Sequence, residues 1–223
     1  MCGRFTRTTP VKDLAKLFDF PEPGEEAPPP RYNIAPSQTV AVVRPAANGP
    51  GRELAWMRWG LIPFWADDPK IAYKLINARA DTVAGKPAFR NAFRQRHCLI
   101  PADGFYEWHA AGTKTKQPYC IRRKDGRPFA FAGLWERWHP PEGPPVESCT
   151  IITTDANELV RPVHDRMPVI LDPANWAAWL DPRDPTIAQE LLRPCPAEVM
   201  TAFPVSTLVN NPRNEDPRCL EPA

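Results

Sequence analysis

Thirty of the 223 residues are proline, and no other feature constrains the fold as tightly. Proline removes a backbone donor and fixes one dihedral, so it ends helices and is kept out of the middle of a sheet. A chain punctuated this way builds loops and short, interrupted elements rather than long helices. The apolar segments between the prolines read mostly as strands, without strand–helix alternation. That order predicts an α+β fold with a mostly antiparallel, barrel-like sheet and a few short peripheral helices. No internal repeat or composition break marks a second domain, so residues 1–223 read as a single domain.

Thr9-Pro10 has the pattern of a cap followed by proline at the first helical position. Val11, Leu14 and Phe18 then share one face of the helix that follows. Pro21 through Pro30 reads as an acidic, proline-rich surface loop. Strands are expected over Thr39–Val43, Leu54–Trp59, Cys98–Pro101, Thr150–Thr154, Val169–Leu171 and around Val205–Val209. A short helix is expected over Ala88–Arg94, and Asp172-Pro173 and Asp184-Pro185 each announce another helix start. Tyr119–Arg122 and Phe129–Leu134 flank Asp125-Gly126, the signature of a hairpin.

The formal net charge is only +2, so an anionic partner would have to meet a local basic patch. The stripe Arg90, Arg94, Arg96 reads as an ordinary solvated face. Six cysteines (2, 98, 120, 149, 195 and 219) are scattered, with no CxxC or Cys/His spacing suited to a metal. They read as reduced, mostly buried thiols, with no metal and no cofactor expected. No apolar run approaches the ~18 residues of a membrane span. Arg4, Arg7, Lys12 and Asp13 interrupt the N-terminus too early for a signal peptide. The expected setting is the cytoplasm, with no membrane partner and the chain a monomer.

Cys2 directly follows the initiator methionine and is small enough for that methionine to be removed. The mature chain would then start with an α-amine and a thiol on adjacent carbons. An α-amine, with a pKa near ~7.7–8.0 against ~10.4 for lysine, is far more often neutral and nucleophilic at pH 7. It can attack an aldehyde to form a Schiff base, and the thiol can close on the same carbon to give a five-membered thiazolidine. Three polar residues, Asn77, Glu107 and His164, stand inside apolar, strand-forming surroundings. A carboxyl between Tyr106 and Trp108 suits proton transfer near neutrality, and imidazole is the usual acid–base at that pH. Read singly, Glu107 fits better a strand edge facing solvent or paired with an arginine, and His164 a hydrogen-bonded core or surface position. Trp65 fits either core packing or an exposed stacking platform. Arg4, Arg79 and Arg166 lie close in sequence to the three candidate sites, and arginine pairs bidentately with phosphate.

Taken together, these segments resemble the SOS response-associated peptidase (SRAP) family, the abasic-site processing proteins of the YedK/HMCES type. The matching pieces are Met1-Cys-Gly-Arg-Phe5, Tyr32-Asn-Ile-Ala-Pro36, Trp59-Gly-Leu-Ile-Pro63 with Trp65, and Asn77-Ala-Arg79. They continue with Cys98 through Trp108, Thr153-Thr154, His164-Asp-Arg-Met-Pro168 and Val205-Ser206…Val209-Asn210, in family order over nearly the whole chain. The resemblance implies a single SRAP domain that binds single-stranded DNA containing an abasic site and captures the aldehyde of the opened sugar. It makes Cys2 the crosslinking residue. Asn77 would hydrogen-bond the cysteine and sugar, Glu107 would handle protons at the amine, and His164 would assist Schiff-base formation and ring opening. Arg4, Arg79 and Arg166 would hold phosphates, while Pro36, Trp65 and Thr153 would line the DNA channel. Some members carry a second tryptophan after the first; here that position is Ala66.

Two other functions fit the same residues. One is a thiol peptidase or amidohydrolase with Cys2 as nucleophile and His164 or Glu107 as base, removal of Met1 being its minimal activity. The other is a non-catalytic module that binds single strands or modified bases.

Overall fold

The structure, a computed structural model, describes residues 2–24, 28–110, 116–181 and 183–223, with only the backbone of Pro185. Met1 and the middle of the loop between Pro21 and Pro30 lie outside the described residues. The described residues form thirteen strands and four α-helices. In chain order they begin β1 (Phe5–Arg7), α1 (Val11–Phe18), β2 (Arg31–Ile34), β3 (Thr39–Pro45), β4 (Arg52–Trp59), β5 (Asn77–Arg79) and α2 (Arg90–Gln95). Next come β6 (His97–Ala102), β7 (Gly104–His109), β8 (Gln117–Arg123), β9 (Phe129–Trp138), β10 (Val146–Asp155), β11 (Arg166–Pro168) and β12 (Ile170–Leu171). The set ends with α3 (Trp176–Leu180), α4 (Pro185–Glu190) and β13 (Met200–Pro204).

Strands β10, β4, β3, β6 and β9 close into a barrel, because β9 pairs with β10 as well as with β6. Most pairings are antiparallel, but β10 runs parallel to both β4 and β5. A second, antiparallel sheet has the order β13-β8-β7-β1-β2. The fold is α+β, as the order of elements implied.

Barrel strands are apolar on both faces, which is why they read as continuous hydrophobic runs. Alternate residues divide between two cores. Val42, Cys98, Ile100, Phe131, Cys149 and Ile151 face a core shared with Cys2 and the second sheet. Val43, Leu99, Ala132, Leu134 and Ile152 face the opposite way, toward α1, α2 and α3. On that side Phe18 of α1 stacks flat on Trp176 of α3, ring centroids 4.3 Å apart. Between the sheets, Phe5 meets Trp59 and Phe131 edge-on at 5.2 and 5.6 Å. The N-terminal strand is thereby held against the barrel.

Four expectations need correction. The Asp125-Gly126 turn forms, with Gly126 at φ +70°, but it does not join a hairpin. Strand β8 pairs with β7 and β13, whereas β9 pairs with β6, β10 and β12, so the turn carries the chain from one sheet to the other. Pro128 lies between the turn and Phe129, lacks a ladder donor and holds Arg127 extended, which works against immediate pairing. The last strand is Met200–Pro204 rather than 205–209, since Ser206 caps a 3₁₀ turn over Thr207–Asn210 by accepting from the Leu208 N–H. Helix α2 starts at Arg90, two residues later than expected. Pro10 holds the cap position of α1, while Thr9 gives its backbone N–H and hydroxyl to Asp103 instead.

One glycine fixes the loop that leaves β4. Gly60 sits at φ +123°, and a Cβ there would lie 2.8 Å from the Ala72 carbonyl oxygen. Gly60→Ala is expected to destabilise the fold by about 1–3 kcal/mol, read as a lower urea midpoint. An unchanged midpoint would mean the loop relaxes without cost.

Candidate active site around the N-terminal strand

Strand β1 pairs antiparallel with β7, placing Phe5 opposite Phe105. The Tyr106 N–H donates to the Arg4 carbonyl at 2.9 Å, so the residues before Phe5 run back along β7 toward Glu107. Cys2 is fully buried in the apolar core that also contains Phe5, Trp59 and Ile151. Burial pushes its thiol far above the ordinary range, and the charge of Glu107 pushes the same way, while a backbone N–H from Arg4 opposes them. Burial thus favours the protonated thiol.

Glu107 is itself only 3% exposed. Burial raises its affinity for a proton, and a protonated His164 would work against that rise. Glu107 thus lies within electrostatic reach of both Cys2 and His164. His164 ends a helical turn, its N–H donating to the Val160 carbonyl. Its Nδ1 lies 3.0 Å from the Arg166 N–H and 2.8 Å from Asp165 Oδ1. A neutral ring with its proton on Nε2 accepts from Arg166; a doubly protonated ring donates to Asp165. The imidazole has a partner ready in either state.

Asn77 opens β5, in register with Ile151 of the Cys2 core. Its Nδ2 reaches the Ile151 carbonyl only at 3.5 Å, and its buried Oδ1 has no hydrogen-bond partner among the described residues. A buried amide oxygen left without a partner is suited to accept from a ligand group.

The positions expected to meet DNA differ among themselves. Trp65 is 47% exposed, so its ring is a surface platform rather than core. Pro36 is half-buried beside Ser37, a left-handed turn residue at φ 73°. Thr153 of β10 is buried and in register with Arg79 of β5. Arg166 donates through Nη2 to the Thr153 carbonyl at 2.6 Å and to its hydroxyl at 2.9 Å. Arg79 is exposed and pairs with Asp81 at 2.6 Å. Such a pair is weak in water, so a phosphate can displace the carboxylate. Arg4 is half-buried and donates to Asn33 Oδ1 and to the Val209 carbonyl, both at 2.7 Å, with its guanidinium 5.6 Å from the Trp108 ring centroid. Among the described residues no cluster of His, Cys, Asp and Glu could hold a metal, and all six cysteines are free and buried.

Asn33 was not singled out by sequence reasoning. It is fully buried, and its Nδ2 donates to the carbonyls of Asn211 and Asn214 at 3.0 and 2.9 Å. With Arg4 it clamps the C-terminal segment against the Cys2 strand. The available signal was the one that marked Asn77, a polar side chain inside a strand-forming run.

The SOS response associated peptidase (SRAP) family model matches residues 1–212. The chain is 48% identical to the abasic site processing protein YoqW of Bacillus subtilis, over 99% of each sequence. It is 34% identical to the abasic site processing protein HMCES of Xenopus tropicalis, over 99% of this chain and 78% of that one. Among solved structures, a protein of Bacteroides thetaiotaomicron superposes with a TM-score of 0.88 at 27% identity, over the whole of both chains. One from Bordetella bronchiseptica superposes with a TM-score of 0.78 at 31% identity, over 92% of this chain and 100% of that one.

Proposed function

This chain belongs to the SOS response associated peptidase (SRAP) family, and from that premise we propose that it processes abasic sites in single-stranded DNA by forming a covalent crosslink through Cys2. The whole chain acts as one SRAP domain. Removal of Met1 exposes the Cys2 α-amine. That nitrogen attacks the aldehyde carbon of the opened deoxyribose, giving a carbinolamine. Loss of water, with a proton supplied to the departing hydroxyl, leaves a C=N bond. The thiol then adds across that bond: sulfur joins carbon, its proton passes to nitrogen, and a thiazolidine results. The ring replaces a hydrolysable imine, so the adduct lasts and shields the lesion. At the imine stage the same chemistry permits strand cleavage of the lyase type.

The observation that carries this reading is the position of Cys2, fully buried in an apolar core on the segment that runs along β7 toward the buried Glu107, a setting that favours the thiol over the thiolate. A thiol peptidase needs a thiolate, which forms near cations or helix starts and not in an apolar core beside an acid. A thiol that enters second, on a carbon already tethered to its own backbone, has no such requirement, because the ring closure is intramolecular. Glu107 and His164 supply and remove the protons that the amine steps need. Asn77 Oδ1 hydrogen-bonds the amine or the sugar hydroxyl. Arg4, Arg79 and Arg166 hold flanking phosphates, while Pro36, Trp65 and Thr153 line the strand's path.

Selective acylation of the α-amine tests the order of events. Near neutral pH the α-amine reacts before lysines because a far larger fraction of it is neutral. The blocked protein is expected to retain abasic single-stranded DNA on a native gel and to yield no adduct on a denaturing one. A blocked protein that still formed the adduct would favour a thiol-first nucleophile.

A further inference from the structure

The stripe of arginines on α2 does more than meet solvent. We infer that the groove between Phe64–Trp65 and the Arg90–Arg94 edge of α2 is a track for single-stranded nucleic acid lying beyond the reacting nucleotide. This rests on the reading above and extends it to residues outside the group around Cys2. The groove encloses about 450 Å³ and is lined by Phe64, Trp65, Pro87, Arg90, Asn91 and Arg94.

Its aromatic wall is rigid as well as exposed. Phe64 and Trp65 leave 54% and 47% of their surface to water. The backbone on either side is pinned, Ile62 N–H to Ser148 Oγ at 2.8 Å and the Ala66 carbonyl to Trp138 Nε1 at 2.7 Å. Two adjacent rings are thus held out of the core by a fixed loop, as a platform for base stacking requires. Phe64 supplies a second ring on the side of Trp65 opposite Ala66.

The facing wall carries charge without compensation. Arg90 and Arg94 are exposed and one helical turn apart, and neither makes an ion pair among the described residues. The nearby acid, Glu136, is occupied by Arg96 at 3.1 Å and by Asn91 at 3.3 Å. Elsewhere Arg79, Arg123, Arg183 and Arg218 each carry an aspartate two residues away in sequence. Like charges at i and i+4 on a helix repel, so an unneutralised pair here is a standing cost that an anionic ligand relieves. Their Cβ atoms lie about 5–6 Å apart, as for any i, i+4 pair. That spacing suits neighbouring phosphates of one strand.

Both walls are joined through the chain to strands that bear on the Cys2 core, the aromatic loop following β4 and α2 lying downstream of β5. The aromatic loop leaves β4 at Trp59, whose indole N–H donates to the Ile76 carbonyl beside Asn77. The α2 wall follows β5, which begins at Asn77. Open ring faces opposite unpaired guanidiniums fit a polyanion with stackable bases better than they fit a protein surface.

The test uses an undamaged, labelled oligothymidylate, which offers no aldehyde, and follows anisotropy against salt for the full chain. An Arg90→Ala/Arg94→Ala protein, with its thermal midpoint checked against wild type, is expected to bind tenfold or more weakly. Its plot of log affinity against log salt should flatten by about 1.4, the value for two lost single-strand phosphate contacts. Trp65→Ala should weaken binding with the slope unchanged. At saturating abasic DNA the crosslinking rate of the double variant should equal wild type, since neither arginine touches the reacting atoms. Wild-type affinity and slope in the double variant would overturn the inference and leave this face to a protein partner. Failure of the wild-type chain to bind the oligomer at all would instead overturn the functional reading, and the track with it.

Discussion

A Cys2→Ala protein is expected to keep its affinity for abasic single-stranded DNA and to lose the denaturation-resistant adduct completely. Alanine at this position is still followed by the same strand and, once the methionine is removed, still presents an α-amine. Carbinolamine and imine therefore continue to form, and strand cleavage from the imine continues with them. What disappears is the second bond, because no sulfur is left to close the ring. Borohydride, which reduces an imine to a stable amine, should recover a crosslink from this variant. Loss of the buried sulfur costs about 1 kcal/mol, too little to unfold the chain, so folding does not explain the missing adduct. A durable crosslink from Cys2→Ala without reductant would remove the thiol from the mechanism.

Glu107→Gln separates catalysis from stability, with opposite signs. Folding raises the proton affinity of this carboxyl, burial being the main cause. The folded state thus holds a proton that the unfolded chain, with an ordinary glutamate near ~4.3, has already released. Stability linked to Glu107 is greatest below the unfolded pKa and falls as pH rises through the interval up to the folded one. Glutamine keeps the shape and never ionises. The variant should melt higher than wild type at neutral pH and alike below the unfolded value. Crosslinking should slow by about 10²-fold, the scale of a single general acid–base group, and lose the pH dependence that Glu107 imposes. A variant as fast as wild type would return Glu107 to a purely structural part.

How much of this was legible in the sequence depends on the range of the interaction. Strands β3, β4, β6 and β10 could be placed because prolines and turns bound their apolar runs. The Asp125-Gly126 turn was also correctly placed, yet its hairpin was not there. A turn is fixed by a few residues, whereas the partner of β8 is fixed by β7 and β13 from distant parts of the chain. Cys2, Glu107 and His164 stood out as reactive or polar groups in unexpected places, and the fold brings Glu107 within electrostatic reach of the other two. Asn33 did not stand out, since its partners include a carbonyl 181 residues away. Arginine was the least legible residue. Sequence shows its charge but not what that charge already holds, and Arg166 on Thr153, Arg79 on Asp81 and Arg90 with no ion pair among the described residues are three different situations.

The most direct measurement is the mass and fragmentation of the N-terminal tryptic peptide after reaction with an abasic oligonucleotide and nuclease digestion. The account predicts a peptide beginning at Cys2, without Met1, carrying the sugar residue with one water lost and a sulfur that no longer reacts with an alkylating agent. A crosslinked peptide that retains Met1, an adduct on any other side chain, or a Cys2 thiol still free to alkylate would contradict it.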